Sequence, residues 1–445
     1  MEELLKVCDA AVAAATRHGA DLAEAFAAHG RTIDVELQKN DLQIASTAES
    51  EAVGVRVFRD GRMGFASINT FDEAEIERAV GRAMGIASAA PPDEHNGLPD
   101  PAPVGSVEGL FDPTAAEYGV DRAVDNALGM LNTALGVDGR VTVDGGQFHC
   151  HAGARAVASS KGIRVAEPVS RLYCLIMGMA RDGDVVSSFD FQFDASRRVD
   201  GVDCEGVARR FAGNVIASLG AKKGESFVGT VVLSPMAAAE IVAYPITYAA
   251  LASTVQRGSS RFEQRLGKKV ASPVLTVTDD ASLEDGFAST TFDREGQPPS
   301  VLPIIEEGHL RNFLYDSYRA RREGKTSTGH AGGGAQSVPT VSSTNIVFAP
   351  GDSSLNDLIA GVDRGVYVSR FSGNTDPVSG DFSGVVKGGR AIRGGKLEEP
   401  LTGTMIAGNT FDLLPKLSAV SRERERLFSD VLPSMRLEGV SVTGS

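Results

Sequence analysis

A short stretch near the middle of the chain specifies a strand that passes directly into a helix. Val231–Leu233 ends an apolar run typical of a buried strand. Ser234 belongs to the residue types that cap helix N-termini, and Pro235 suits the first helical position because no intrahelical partner exists there for the N–H that proline lacks. The alanines that follow, Ala237–Ala239, favour helix. The stretch therefore predicts a strand, a cap and a helix at the start of the second half of the chain.

The same helix carries two residues with acid–base chemistry. Glu240 and Tyr244 are four residues apart, so we expect them on one face of the helix. The glutamate is a candidate general base and the phenol a candidate acid. A glutamate on a helix is more often a salt-bridge or capping partner, so both roles stay open. Pro245 predicts that the helix ends or kinks at about this point.

The first 90 residues alternate between helical and strand-like periodicity. A helix is predicted near the N-terminus, and alternating apolar residues at Ile33–Leu37 and Val53–Val57 predict strands. A second helix is predicted after a cap at Thr70–Asp72. Residues 1–90 are therefore expected to form a two-layer unit of helices on an antiparallel sheet, with an α+β fold class.

After a proline-rich segment, the middle of the chain again shows a mixed pattern of predicted helices and strands. Residues 91–106 hold five prolines and predict a linker. Within a central domain at 107–224, we predict one helix from about Thr114 to Leu135, strands from Val141 to Gln192, and a helix that opens at Asp203 or Cys204.

From residue 225 to 445 short strands and glycine turns dominate. Gly388–Ile392 and Gly394–Leu397 are examples of this pattern. It predicts a C-terminal domain with a curved or barrel-like, mostly antiparallel sheet, which also carries the helix after Ser234.

Composition limits the function classes that the chain can serve. The 445 residues carry a formal net charge of −14, which argues against broad electrostatic binding of nucleic acid or an anionic membrane. The four cysteines are sparse and form no CxxC pair, as expected in the cytoplasm. The acidic start at Met1–Leu4 does not resemble a signal peptide, and the apolar runs are too short to span a membrane.

His149, Cys150 and His151 form a possible metal motif. On a strand the two imidazoles point to one face and the thiol to the other, so three adjacent residues rarely converge on one ion. A packed or half-exposed strand is the favoured interpretation, and the metal alternative remains open.

Segments along nearly the whole chain resemble the TldD/PmbA (TldD/TldE) family. Their order and spacing carry the resemblance, and it is densest after residue 229. The segments are Ser259–Phe262, Gly267–Ser272, Thr278–Asp280, Phe292–Gly296, Ile305–Gly308, Leu314–Asp316, Thr328–His330, Gly351–Asp352, Ser379–Ser383 and Ile406–Asn409.

The resemblance gives the helix after Ser234 a specific meaning. Catalytic TldD-type members carry His-Glu-x-x-x-His there, with both histidines on zinc and the glutamate serving the bound water. This chain has Ala239 and Tyr244 at the ligand positions and retains Glu240. Residues five apart in a regular helix differ by about 140° in facing, so the family motif needs a distorted helix.

A second difference from the catalytic members lies at the C-terminus. Those members use a cysteine there as a further ligand, whereas no cysteine follows Cys204 in this chain and the tail reads Asp430–Leu437. The resemblance therefore implies a TldE/PmbA-like subunit with no zinc or other cofactor of its own, and zinc in a TldD-type partner.

Three functions are consistent with these residues. The first is a non-catalytic subunit of a zinc peptidase for small unfolded peptides, which completes a dimer and a peptide chamber. The second is a zinc-independent hydrolase or a repurposed catalyst that uses Glu240 and Tyr244. The third is a homodimeric peptide-binding or scaffold protein. An extended peptide could pair with a sheet edge through its main chain.

Overall fold

The computed structural model describes residues 1–444. The eleven α-helices within this range are α1 Glu2–Arg17, α2 Glu73–Ala89, α3 Pro113–Ala116, α4 Val120–Val137, α5 Cys204–Ala217, α6 Pro235–Ala238, α7 Tyr244–Ala250, α8 Ala252–Gln256, α9 Ser317–Arg322, α10 Leu355–Ala360 and α11 Thr410–Leu413. A π-helical turn spans Ala239–Ala243, and 3₁₀ turns span Val199–Gly201 and Leu414–Lys416.

The strands of the first half are β1 Leu22–Gln38, β2 Asp41–Arg59, β3 Arg62–Ile68, β4 Val141–Ser159, β5 Arg164–Asp182, β6 Val185–Val186 and β7 Asp190–Ser196. Those of the second half are β8 Lys222–Lys223, β9 Phe227–Leu233, β10 Val277–Asp279, β11 Leu302–Glu306, β12 His309–Leu310, β13 Ala331–Gly332, β14 Thr340–Val341, β15 Ile346–Phe348, β16 Arg364–Val368, β17 Arg370–Thr375, β18 Asp381–Lys387, β19 Arg390–Arg393, β20 Lys396–Thr402, β21 Met405–Asn409, β22 Leu417–Leu427 and β23 Asp430–Thr443.

The first half forms one antiparallel sheet with helices on one face. The strand order is β3-β2-β1-β4-β5-β6, and β7 also pairs with β5. Helices α1 and α2 cover one end of this face and α4 and α5 cover the other, each pair over its own apolar core. The two-layer α+β prediction is therefore confirmed.

Local signals placed most of these helices correctly. Asp72 accepts the N–H of Glu75 at the start of α2, and Asp203 accepts that of Gly206 at the start of α5. The single helix predicted from Thr114 to Leu135 was wrong, because the chain forms α3 and α4 with a break between them. Tyr118 lies buried in that break, and its carbonyl accepts a hydrogen bond from Arg31 at 2.7 Å.

The predicted domain boundaries, 1–90, 107–224 and 225–445 with a linker at 91–106, stay a prediction. Residues 91–106 form no helix or strand. The structure adds that β1, from the first range, pairs along its length with β4, from the second, with Ile33 opposite Cys150. The two ranges therefore contribute strands to one sheet.

The second half forms a 14-stranded, mostly antiparallel sheet around the largest apolar core of the molecule. Parallel pairing joins β9 to β16, β15 to β23 and β8 to β20. The prediction of a mostly antiparallel C-terminal sheet is confirmed, and within residues 1–444 the strand path does not close into a barrel. No helix in the same range is long and apolar enough to cross a membrane.

A buried ion network joins the two halves. Arg56 of β2 donates to Glu24 of β1 at 2.7 Å and to Glu295 at 2.9 Å, while Arg294 donates to Glu24 at 2.8 Å. All four side chains are at most 5% exposed. Ser317 donates its hydroxyl to Glu295 at 2.7 Å. The network fixes the second half against the helix-free face of the first sheet.

Candidate functional site

The helix after Ser234 begins as the sequence predicts. Strand β9 ends at Leu233, and the Ser234 hydroxyl oxygen accepts the N–H of Ala237 at 3.2 Å. The same hydroxyl donates to the carbonyl of Ser369, which fixes the helix start to the sheet. Pro235 occupies the first helical position.

The helix widens at the positions where the family motif needs it to. Residues Ala239–Ala243 form a π-helical turn, and the N–H of Tyr244 donates to the carbonyl of Ala239. A turn closed between residues five apart brings them towards a common face. The expected distortion is thus present, and it brings the side chains of positions 239 and 244 one turn apart on the same helix.

Pro245 and Thr410 account for this wide turn. The helix does not end at Pro245 but continues to Ala250, with the proline in the first turn of α7. Proline has no N–H to donate to the carbonyl four residues back, which belongs to Ile241. The buried Thr410 hydroxyl donates to that carbonyl instead, at 2.6 Å.

We expect Thr410→Val to lower the free energy of unfolding by about 1–3 kcal/mol, because it leaves the buried Ile241 carbonyl without a donor. Thr410→Ser keeps the hydroxyl and should lower the free energy of unfolding clearly less. Denaturant unfolding of both variants measures the difference. Equal losses would show that packing of the methyl group, rather than the hydrogen bond, stabilises the turn.

The side chains on this helix offer weak acid–base chemistry. Burial raises the pKa of Glu240, and the charge of Arg370 acts in the opposite direction. Arg370 itself donates to the Phe189 carbonyl at 2.6 Å and to Asp190 at 3.3 Å. Tyr244 is 51% exposed. Within residues 1–444 no hydrogen bond joins Glu240 to Tyr244, so the two candidate groups are not coupled directly.

The C-terminal tail lies beneath the helix. Residues Asp430–Leu437 belong to β23, against which α6 packs, and Met435 shares its apolar core with Ile241. Burial and the nearby Asp279 raise the pKa of Asp430 to about 6.

The donor set around the helix does not fit a zinc ion. A methyl group and an exposed phenol occupy positions 239 and 244, and the strand below contributes no thiolate. The cysteines Cys8, Cys150, Cys174 and Cys204 are free and buried in the first half. In the part of the chain that the structure describes, no three His, Cys, Asp or Glu side chains are grouped so as to hold a metal ion.

His149, Cys150 and His151 lie on β4 as the alternation predicts. His149 bonds to Asp34 at 2.7 Å and stacks on Tyr173, with ring centroids 4.6 Å apart. His151 bonds to Thr32 at 3.0 Å. Cys150 is buried in the core on the opposite, helix-covered face. The favoured interpretation of a packed strand agrees with these contacts.

A cavity of about 450 Å³ adjoins the start of the helix, between Ser234 and Met236 on one side and Asp194 of β7 on the other. Glu425 and Tyr367 also line it. Burial raises the pKa of Glu425, and it raises that of Tyr367 to about 12. Neither residue was predicted from the sequence, because they belong to distant strands that come together only in the folded chain.

Several of the family-like segments meet in pairs in the structure. Asn409 donates its side-chain amide to Asp381 at 2.7 Å, which joins two such segments. His330 lies 3.1 Å from Asp279, which joins two more. The Phe292–Gly296 segment supplies Arg294 and Glu295 to the buried ion network. These contacts bring widely separated segments of the sequence together in the fold.

Two family models match the chain. The model described as PmbA/TldA metallopeptidase C-terminal domain matches residues 227–444, and that described as PmbA/TldA metallopeptidase domain 1 matches residues 23–87. Together they cover nearly two thirds of the sequence. The chain belongs to the PmbA/TldD family of metallopeptidases.

Curated proteins and solved structures agree with this assignment. The chain is 27% identical to the metalloprotease PmbA homologue of Haemophilus influenzae, covering 100% of this chain and 97% of that protein. It is 31% identical to the metalloprotease TldD homologue of Buchnera aphidicola subsp. Acyrthosiphon pisum over 43% of each. The crystal structure of TldE from Thermococcus kodakarensis superposes with a TM-score of 0.90 at 25% identity, covering 97% of this chain and 99% of that one. The fold is thus that of a PmbA/TldD protein over nearly its full length.

Proposed function

We propose that this chain is the non-catalytic, TldE/PmbA-like subunit of a zinc peptidase that acts on small unfolded peptides. The observation that supports the proposal is the chemistry of the π-helical turn. Its geometry suits a pair of ligands five residues apart, and yet Ala239 and Tyr244 stand at the two positions. A catalytic zinc needs three protein ligands and one open position, and neither side chain supplies an imidazole.

In this proposal the zinc ion and the reacting groups belong to a TldD-type partner. The present chain would complete the dimer and one wall of a chamber that admits extended peptide. The similarity to both PmbA and TldD homologues supports a pairing of two related chains.

The second candidate function is zinc-independent hydrolysis by this chain alone. It is favoured by the raised pKa of Glu240, since a half-buried carboxyl titrating nearer neutrality is a better general base. The missing contact between Glu240 and Tyr244 argues against it.

The test compares the chain alone with the chain co-expressed with a TldD-type protein that has an intact His-Glu-x-x-x-His motif. We expect the isolated chain to hold no stoichiometric zinc and to leave a fluorogenic unfolded peptide uncut. The co-purified pair should contain one zinc and cleave the peptide in a chelator-sensitive reaction.

Glu240→Gln in this chain separates the two candidates. The non-catalytic role predicts that turnover by the pair is unchanged by this substitution. Chelator-resistant cleavage by the isolated chain, abolished by Glu240→Gln, would establish the zinc-independent hydrolase instead. A stable homodimer that does not bind the TldD-type protein would favour a scaffold role.

A further inference from the structure

Two adjoining cavities lie between the helix-free face of the first sheet and the second half of the chain. Their volumes are about 190 and 360 Å³, and both are lined by Arg155, Val169, Arg171 and Gly333. We call this continuous concavity the arginine groove. It lies on the opposite face of the sheet from α1, α2, α4 and α5.

The strand register places the charged residues of the groove on one face. In the pairing of β4 with β5, His151 lies opposite Arg171 and Arg155 lies opposite Glu167. Residues two apart on a strand point to the same side, so all four side chains project towards the second half. The glycine-rich loop before β14 forms the other wall, and it approaches the sheet so closely that a Cβ on Gly54 would lie 2.1 Å from the Ala335 carbonyl oxygen.

The smaller cavity of the groove is electropositive in a protein whose net charge is −14. Arg155 is paired with Glu167 at 2.6 Å. The buried Arg197 also lines the cavity, and its four hydrogen bonds of 2.6–2.9 Å all go to carbonyl oxygens. Neutral acceptors leave its charge uncompensated, and burial together with the charge of Arg171 lowers its pKa to about 9. Burial and the charge of Glu295 raise the pKa of the neighbouring Asp293 to about 7.

Arg171 is the cation of the groove that has donors to spare. Its backbone belongs to the pairing of β4 with β5, but across the described residues its exposed side chain makes no hydrogen bond and no ion pair. Its guanidinium lies over the ring of Phe287, 5.5 Å from the centroid. The concave surroundings and the charge of Arg155 both lower its pKa. An anion that bound here would relieve this like-charge repulsion.

The second cavity indicates which anion fits. It continues from Arg171 between Phe26, Ala28, Ala52 and Ala335, so apolar surface adjoins the guanidinium. A free phosphate would leave that surface empty. A carboxylate at the end of a peptide fits both parts, since guanidinium pairs with carboxylate through two parallel hydrogen bonds and the last side chain can occupy the apolar part.

We propose that the arginine groove binds the C-terminal carboxylate of an extended peptide, with Arg171 as the binding residue. The proposal rests on the peptide-binding role proposed above. It also fixes the orientation of the bound peptide, whose C-terminus lies in the groove while the preceding residues extend out of it. Recognition of the terminus requires no particular sequence, which suits a subunit that handles varied peptides.

The test uses the full chain and a labelled unfolded peptide in two forms, one with a free C-terminal carboxylate and one with a C-terminal amide. Fluorescence anisotropy gives both dissociation constants. We expect the acid to bind about tenfold more tightly than the amide, the usual effect of one charge-assisted hydrogen-bonding pair. Arg171→Gln should remove this difference in affinity. Arg171→Lys keeps the positive charge but cannot form two parallel hydrogen bonds, so it should retain part of the difference.

Arg82→Gln is the matched control, because Arg82 is an exposed arginine of α2 on the opposite face of the sheet. It should keep the full preference for the acid. Equal binding of acid and amide by the unaltered protein would overturn the carboxylate site while leaving peptide binding intact, and so would a preference that survives Arg171→Gln. If neither peptide bound to the chain or to its complex with a TldD-type protein, the proposed function itself would be wrong.

Discussion

Glu24→Ala should lower the free energy of unfolding by about 3–5 kcal/mol, because breaking a buried ion network leaves charges without partners. Glu24 is the only carboxylate that contacts both Arg56 and Arg294 in the described network, at 2.7 and 2.8 Å. Its removal leaves the buried Arg294 with no carboxylate partner and the buried Arg56 with Glu295 alone. The loss in free energy of unfolding therefore comes from buried charges without partners rather than from lost contact area.

Two further variants separate charge from packing. Glu24→Gln preserves the shape of the side chain. It should still cause most of the loss expected for Glu24→Ala, since an amide does not neutralise either arginine. Glu77→Ala removes an exposed carboxylate that pairs with Arg17 at 3.0 Å and should change stability little. Denaturant unfolding at constant pH measures all three. A Gln variant as stable as the unaltered protein would show that the network acts through packing alone.

This network also marks the limit of what the sequence could predict. Helix starts at Asp72, Asp203 and Ser234 were predictable because a cap is a local interaction over three residues. The contact between Glu24 and Arg294 spans 270 positions and has no local signature. The available clue was weaker: Glu24 and Arg56 each interrupt an apolar strand, at Ala23–Ala27 and at Val53–Phe58.

Sheet topology was beyond the sequence for the same reason. The proline-rich segment at 91–106 predicts an interruption, and nothing local in it shows that β1 and β4 pair on either side of that segment. In the break between α3 and α4, the carbonyl of Tyr118 accepts a hydrogen bond from Arg31, which comes 87 residues earlier. By contrast, the wide turn at Ala239–Ala243 could be expected, because a ligand spacing of five residues is incompatible with a regular helix.

That turn supports the second large-effect prediction. Ala239→His and Tyr244→His together should raise zinc affinity by roughly 100-fold over either single variant, since two imidazoles on a preformed turn act as a chelate. The N–H of Tyr244 already bonds to the Ala239 carbonyl, and Thr410 holds the carbonyl that Pro245 leaves free. The geometry therefore needs no new distortion to bring the two rings together.

Peptide cleavage by the double variant should nevertheless remain negligible. A catalytic zinc needs a third protein ligand, and the strand beneath the helix presents Met435 and its apolar neighbours rather than a thiolate. Groups that orient ligand imidazoles matter as well, since losing them typically costs roughly 10–100-fold in metal affinity or activity. Glu240 would stand next to a bound ion with no complete site around it.

Zinc titration against a chromophoric chelator, with turnover of a fluorogenic unfolded peptide, measures both halves of this prediction. The two single variants and the unaltered protein are the controls, and thermal unfolding shows whether each has folded. A folded double variant that binds zinc no better than the single variants would mean that positions 239 and 244 do not converge. Cleavage by the unaltered protein at the rate of the double variant, insensitive to chelator, would instead mean that this chain is a catalyst in its own right and needs no histidine at position 239 or 244.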